Sequence, residues 1–240
     1  MKHLLWSLIS IVSLATCVQA NDYVRLAREI KPLIDKNEVV ILGEKHGKPE
    51  STQLFTEVCR NYTKSGKCLT VALEISSNQQ TTIDRAMAGD SSISNIKISP
   101  IIDHPAYREM LSTLREMKHE GRCLNVIAID GKAPKVSRDE WMTKVLCQYI
   151  DNGKVLCLVG NLHAIKKIRW ENGVSDPFLG ERLVDYGLNV CTVIQVQAKD
   201  EACSLLGPTL KDCKRILSNV AARVNSEPTS LVDYVLKISP

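Results

Sequence analysis

Four short segments of this chain place acids and imidazoles at the ends of apolar runs. Gly43-Glu44-Lys45-His46-Gly47 follows the run 39–42, and Glu74 stands inside the run 69–75. Asp130-Gly131 follows 124–129, and Gly160-Asn161-Leu162-His163 follows 155–159. Two glutamates and two imidazoles allow two hydrolytic schemes. In one, Glu44, His46, Glu74 and His163 ligate a divalent transition metal (Mn, Co or Zn) that lowers the pKa of a bound water. In the other, His46 or His163 acts as general base without metal, oriented by Glu44 or Glu74. Asp130 and Asn161, at the ends of the same runs, are candidates for holding a cofactor or ligand. No frame for a covalent nucleophile occurs: the chain has no G-x-S-x-G, no H-E-x-x-H and no phosphate-binding loop.

Each residue also has a purely structural explanation. Glu44 could be a solvated loop residue, Asp130-Gly131 a turn, and His163 a core histidine. Glu74 resists that treatment, because an acid within an apolar strand is costly to bury without a partner. Their recurrence at the ends of successive runs favours a common site. The spacing Gly-x-x-His occurs twice, at 43–46 and 160–163, each time directly after a buried run. It suggests two similar half-units facing each other, with glycine permitting the sharp exit from each strand.

The elements that must position these groups alternate. Tyr23, Leu26, Ala27, Ile30, Leu33 and Ile34 recur at helical spacing. The run 39–42 is continuous and apolar, as a strand buried on both faces should be, and the mainly apolar segments 69–75, 124–129, 155–159 and 190–196 are also read as strands. Helices are expected after Pro49 (Leu54, Phe55, Val58, Cys59, Tyr62), after Pro105 (Tyr107, Met110, Leu111, Leu114, Met117), around Trp141–Tyr149 and near 179–186. A polar segment after Ile75 and a Ser/Asn-rich stretch around residues 89–99 read as a loop or insertion. The fold class is therefore α/β, with a mostly parallel central sheet, helices on both faces and a ligand site at the C-terminal edge of the strands. One domain spans 21–198, and 199–240 is expected to be a helical extension packed on it.

With these pieces in hand, the sequence resembles the superfamily that contains erythromycin esterases, ChaN-like haem-binding proteins and the Tiki/TraB proteins. The matching segments are ILGEKHG at 41–47, VALEI at 71–75, SRDEWM at 137–142, VGNLHA at 159–164 and FLGERLVDYG at 178–187. The resemblance implies a site of Glu44, His46, Glu74 and His163 with Arg138 nearby to stabilise an oxyanion. It implies hydrolysis of an amide or ester, metal-assisted in the favoured version, by a peptidase or esterase. The alternative it carries is a haem- or metal-binding uptake protein that uses the same crevice without turnover. It does not reach the segment from Lys199 onward.

Loops on the same edge carry Lys45, Lys48, Lys132, Lys135, Arg138, Lys166, Lys167 and Arg169. They suggest an anionic small-molecule or peptide ligand, or the propionates of haem. Overall the chain is nearly balanced, with 31 Lys and Arg against 27 Asp and Glu, which excludes a dedicated nucleic-acid binder. No apolar run is long enough to span a bilayer. A homodimer is left open.

Export is expected. Lys2 and His3 precede an apolar run to Val18, and Val18-Gln19-Ala20 offers a cleavage site, so 1–20 reads as a signal peptide. Lipid attachment at Cys17 ranks below simple cleavage because Thr16 is larger than a lipoprotein signal wants. The chain has nine cysteines, and removal of Cys17 leaves an even number, which favours disulfides in a periplasmic or secreted protein. The expected pairs are Cys59–Cys68 and Cys203–Cys213, with Cys157 and Cys191 as buried thiols in strands. His104 and His119 fall at the two ends of an expected helix and are assigned to those ends.

Overall fold

The computed structural model describes residues 21–167, 176–198, 203–217 and 231–238. The expected signal peptide, Cys17 and Arg169 lie outside these residues. A helix over 21–36 (α1) packs Tyr23, Leu26, Ala27, Ile30 and Ile34 into the core, as their spacing predicts. Five strands then alternate with helices: β1 (Val39–Glu44), α2 (Pro49–Thr63), β2 (Leu69–Ser76), α3 (Gln80–Ala88), α4 (Pro105–His119), β3 (Leu124–Asp130), α5 (Arg138–Cys147), β4 (Lys154–Gly160), α6 (Leu179–Asp185) and β5 (Val190–Gln197).

The expected helical extension is corrected. Among its described residues, the helix α7 (Leu210–Leu217) lies between two strands, β6 (Ser204–Leu206) and β7 (Tyr234–Ile238). β7 joins the main sheet beside β5, and β6 adds an antiparallel edge. The seven strands run in the order β3-β2-β4-β1-β5-β7-β6, all parallel except β6. A second correction concerns the polar stretch before residue 99, where Gln80–Ala88 is helical and buries Ile83, Ala86 and Met87.

Two apolar layers cover the sheet. Side chains of α1, α2, α3 and α4 meet Val40, Leu42, Val71, Leu73 and Val193 on one face. Those of α5, α6 and α7 meet Val39, Ile41, Ala72, Ile127 and Val159 on the other. Because the strands are parallel and covered on both faces, their C-terminal ends share one edge, and the polar residues that follow them are brought together there.

The cysteines pair differently from expectation. Cys68 and Cys123 form a disulfide, while Cys59, buried within α2, is a free thiol. The expected Cys203–Cys213 bridge is likewise absent, since Cys213 is a free thiol. Proximity in sequence misleads here. Leu69 and Leu124 are register partners at the start of β2 and β3, so the residues just before them lie side by side although 55 positions apart. Burial pushes the thiols of Cys59, Cys157, Cys191 and Cys213 up, Cys191 to about 12 and Cys213 to about 11, so they pack as small apolar side chains.

Candidate active site

The two Gly-x-x-His segments leave neighbouring parallel strands. Along β1 and β4 the register pairs Gly43 with Val159 and Glu44 with Gly160, so the motifs run side by side one residue out of step. Each glycine makes room for the other motif. A Cβ on Gly160 would sit 2.7 Å from His46 Nε2 and 2.9 Å from Cε1. A Cβ on Gly43 would sit 2.6 Å from Asn161 Oδ1 and 2.9 Å from its Cα. The glycines therefore serve close packing of one half-unit on the other as well as a turn.

His46 is held by its own motif. Its Nδ1 lies 3.0 Å from Glu44 Oε1, and the Glu44 side chain is only 2% exposed while the imidazole is 32% exposed. The hydrogen bond to Glu44 raises the His46 pKa above the ordinary value of 6.5, against the opposing effects of burial and of Arg138. With Glu44 accepting the Nδ1–H hydrogen bond, the lone pair of Nε2, which lies over Gly160, is left to act as a base.

His163 is oriented by a residue that sequence reasoning missed. Asp139 Oδ1 lies 2.6 Å from His163 Nδ1 and also accepts the backbone N–H of Leu179 at the start of α6. On the other side of the ring, Nε2 lies 3.3 Å from Arg138 Nη1. Asp139 draws the Nδ1 proton, which leaves Nε2 to accept from Arg138. The signal was present in the Ser137-x-x-Glu140 spacing. Ser137 caps α5 by accepting the Glu140 N–H, which places Arg138 and Asp139 in the first helical turn at the strand edge.

Arg138 is the hub. Its Nη2 donates to Glu74 Oε1 at 2.5 Å and to Asp130 Oδ2 at 2.9 Å, and its Nε donates to Asp130 Oδ1 at 2.7 Å. These carboxylates raise the guanidinium pKa further, Asp130 most strongly. The second oxygen of Glu74 accepts the Gly160 N–H at 2.6 Å. Asp130 is thus bound to Arg138, and Gly131 beside it leaves space for the Trp141 indole. Asn161 uses both ends of its amide on β5, donating to Gln195 O and accepting from Gln195 N–H, each at 2.9 Å. The β1–β5 ladder stops at Leu42 and Val193, and the Asn161 side chain continues it as a substitute strand. Asn161 therefore wedges the sheet open at the point where the crevice begins.

The crevice has a volume of about 410 Å³ and is lined by Glu44, Lys45, His46, Arg138, Gly160, Asn161, Leu162, His163, Gln195, Val196, Gln197 and Arg215. Of the expected basic rim, Lys45 and Arg138 line it. Lys166 instead pairs with Asp233, and Lys132, Lys135 and Lys167 are exposed away from the lining. Arg215, on α7, was not anticipated. His104 and His119 stand at the two ends of α4, as expected.

Much of the donor set named for a metal has other partners. Glu44 holds His46, Asp139 holds His163, and both oxygens of Glu74 already accept N–H groups, one from a cation. Among the described residues no three His, Cys, Asp or Glu side chains are grouped to hold a metal ion. Arg138 supplies the positive charge between the carboxylates, while Glu44 Oε2 is buried without a hydrogen-bond partner among the described residues.

No protein-family model and no curated protein matches the sequence. Solved structures do match over most of the chain. An erythromycin esterase mutant in its open conformation superimposes with a TM-score of 0.61 at 10% identity, covering 89% of this chain and 93% of the esterase. ChaN of Campylobacter jejuni, solved with cofacial haem, gives 0.54 at 14% identity over 87% and 90%. A Bacillus cereus protein gives 0.63 at 11% identity over 89% and 91%. The chain has the erythromycin esterase/ChaN-like fold. At these identities the likeness establishes the esterase/ChaN-like architecture, and the chemistry must be argued from this chain's own residues.

Proposed function

We propose that this protein hydrolyses an ester or amide bond, with His46 as general base and Arg138 as the group that stabilises the oxyanion. The observation that carries the proposal is the Glu44–His46 pair, a buried carboxylate orienting a half-exposed imidazole at the wall of the crevice. His46 Nε2 removes a proton from water as the water attacks the carbonyl carbon. The developing oxyanion meets Arg138, which Glu74 and Asp130 fix from behind and which is 39% exposed. As the tetrahedral intermediate collapses, His46 returns its proton to the leaving oxygen or nitrogen. No covalent intermediate forms on the protein. Asp139 and His163 hold Arg138 from its other side.

The Cys68–Cys123 disulfide supports action outside the reducing cytoplasm, in the periplasm or after secretion. No described helix is long and apolar enough to cross a membrane.

The test is turnover of 4-nitrophenyl esters by the purified protein and by His46→Ala. Loss of roughly 10²-fold or more in kcat, with an unchanged circular dichroism spectrum, is expected. Absence of turnover in the wild type, together with a Soret band on hemin titration that His46→Ala abolishes, would replace this reading with the haem-carrier one.

A further inference from the structure

We infer that Tyr107 and Gln195 are positioning residues that hold the inner oxygen of Glu44 through one shared water, and so fix the carboxylate that orients His46. This role deepens the hydrolase reading and rests on it for its kinetic consequence. Glu44 engages His46 through Oε1 alone. Its Oε2 is buried and has no hydrogen-bond partner among the described residues, although a buried carboxylate oxygen normally has one. A carboxylate fixed at one oxygen is free to turn about that contact, and His46 would turn with it.

Strand alternation decides what shares a face with that oxygen. Val40 and Leu42 on β1, like Cys191 and Val193 on β5, turn toward the layer formed with α2 and α4, and the register pairs Val40 with Cys191 and Leu42 with Val193. Glu44 and Gln195 are the next residues on that face, two positions further along each strand. The Asn161 amide bonds to the β5 backbone at this level, between the strands, and Glu44 Oε2 and Gln195 Nε2 make no direct bond. Gln195 is 5% exposed; its Oε1 accepts from Ser51 Oγ on α2 at 2.5 Å, and its Nε2 is a donor without a partner among the described residues. Tyr107, in the first turn of α4, belongs to the same layer and is 1% exposed. Its hydroxyl likewise has no partner among the described residues, and the His104 ring packs edge-on against it. Burial, and after it the charges of Glu44, Glu74 and Asp103, push the Tyr107 pKa well above its ordinary value, so the hydroxyl keeps its proton and remains a donor near Glu44. Two buried donors and one buried acceptor on one face match a single water, which accepts from Tyr107 and Gln195 and donates to Glu44 Oε2. About three such bonds are what a buried water typically makes.

The experiment uses Tyr107→Phe, which removes the hydroxyl and keeps the ring in the core, and Gln195→Leu, which removes the amide donor at similar volume. The readouts are kcat and KM on 4-nitrophenyl butyrate and the 15N shifts of His46 at alkaline pH, where the neutral ring reports whether its proton sits on Nδ1. In Tyr107→Phe, kcat should fall by about tenfold, the value of one hydrogen bond to a charged group, with KM unchanged. Part of the His46 population should move its proton to Nε2. Added to Glu44→Gln, the same substitution should cost less than about twofold, because the group it positions is already altered. Gln195→Leu should move kcat and the His46 tautomer in the same direction, and it decides alone if Tyr107→Phe does not fold. A packing role would lower the melting temperature, leave the His46 proton on Nδ1 and cost its full effect in the Glu44→Gln background; that result overturns the positioning role. If both variants turn over the ester at the wild-type rate with an unmoved tautomer, the positioning role falls and the hydrolase reading stands. If the wild type turns over no ester but either variant shifts the tautomer, the hydrolase reading falls and the positioning role stands. With neither turnover nor a shift, both fall.

Discussion

Replacing Gly160 by alanine tests the site with one methyl group. The backbone at this position has φ −57° and ψ 147°, which any residue adopts, so alanine adds no strain of its own. What it adds is a Cβ 2.7 Å from His46 Nε2. Restoring ordinary contact requires the ring to move by about 0.7 Å, away from the position in which Nδ1 sits 3.0 Å from Glu44 Oε1. The ring is part exposed and can yield toward solvent, so stability should change by no more than about 1 kcal/mol, overpacking being partly offset by the stiffer unfolded chain. Catalysis should suffer far more, because misplacing a catalytic group by about an ångström costs on the order of 10²-fold. Steady-state kinetics on a 4-nitrophenyl ester and NMR titration of His46 give the two readouts. The expected result is a fall in kcat of about 10- to 100-fold and a His46 pKa drawn back toward 6.5, since the Glu44 hydrogen bond is what raises it. Full activity together with an unmoved His46 titration would show that the ring does not need this seat, and the mechanism would be wrong.

Three further outcomes follow from the same geometry. In Glu44→Gln, His46 loses the partner that raises its pKa, so the acid limb of the kcat/KM profile should move to lower pH while the plateau falls. A raised folded-state pKa stabilises below about pH 6.5 and ceases to as pH rises through the folded value, so denaturant midpoints should show Glu44→Gln losing more stability at pH 5 than at pH 9. Asp139→Asn removes the charge that accepts from His163 and from the Leu179 N–H; a stability loss of about 2 kcal/mol in urea and a drop in kcat of about tenfold are expected, with His163→Ala adding little on top. Cys68→Ser should lower stability by about 4 kcal/mol, the entropy of closing a loop of this length, without changing the kcat of the folded protein.

How much of this could be read from the chain depended on burial and distance. The strands β1 to β5 were legible because a parallel strand covered on both faces must be mainly apolar, and each ends within one or two residues of its expected limit. Helix α3 was not, because Gln80-Thr-Thr-Ile-Asp-Arg-Ala-Met buries only Ile83, Ala86 and Met87 and begins without a capping side chain. The strands β6 and β7 span three and five residues and owe their form to pairing with each other and with β5, which no local pattern announces. Within the site, the acids and imidazoles at strand ends stood out against apolar surroundings. Asp139 did not, because an acid in the first turn of a helix is ordinary. Gln195 and Arg215 are ordinary in sequence as well, and only the sheet order brings them to the same crevice.

The paired motifs show why spacing alone could not assign roles. Both read Gly-x-x-His, yet the residue after glycine is Glu44 in one and Asn161 in the other. In the first half-unit that residue orients the histidine of its own motif. In the second it is consumed in continuing the β1–β5 ladder, so His163 must find its carboxylate on α5, in Asp139. The one-residue offset between β1 and β4 then decides which imidazole lies over glycine: His46 seats on Gly160, whereas Gly43 receives Asn161. His163 is left to meet Arg138 instead. Two motifs of the same Gly-x-x-His spacing thus yield one imidazole free to accept a proton and another engaged in holding the cation. The asymmetry predicts that exchanging the motif residues, Glu44→Asn with Asn161→Glu, would not transfer the base to His163. It would instead put a charge where the sheet needs a backbone-like amide, and the double variant should unfold before it regains activity.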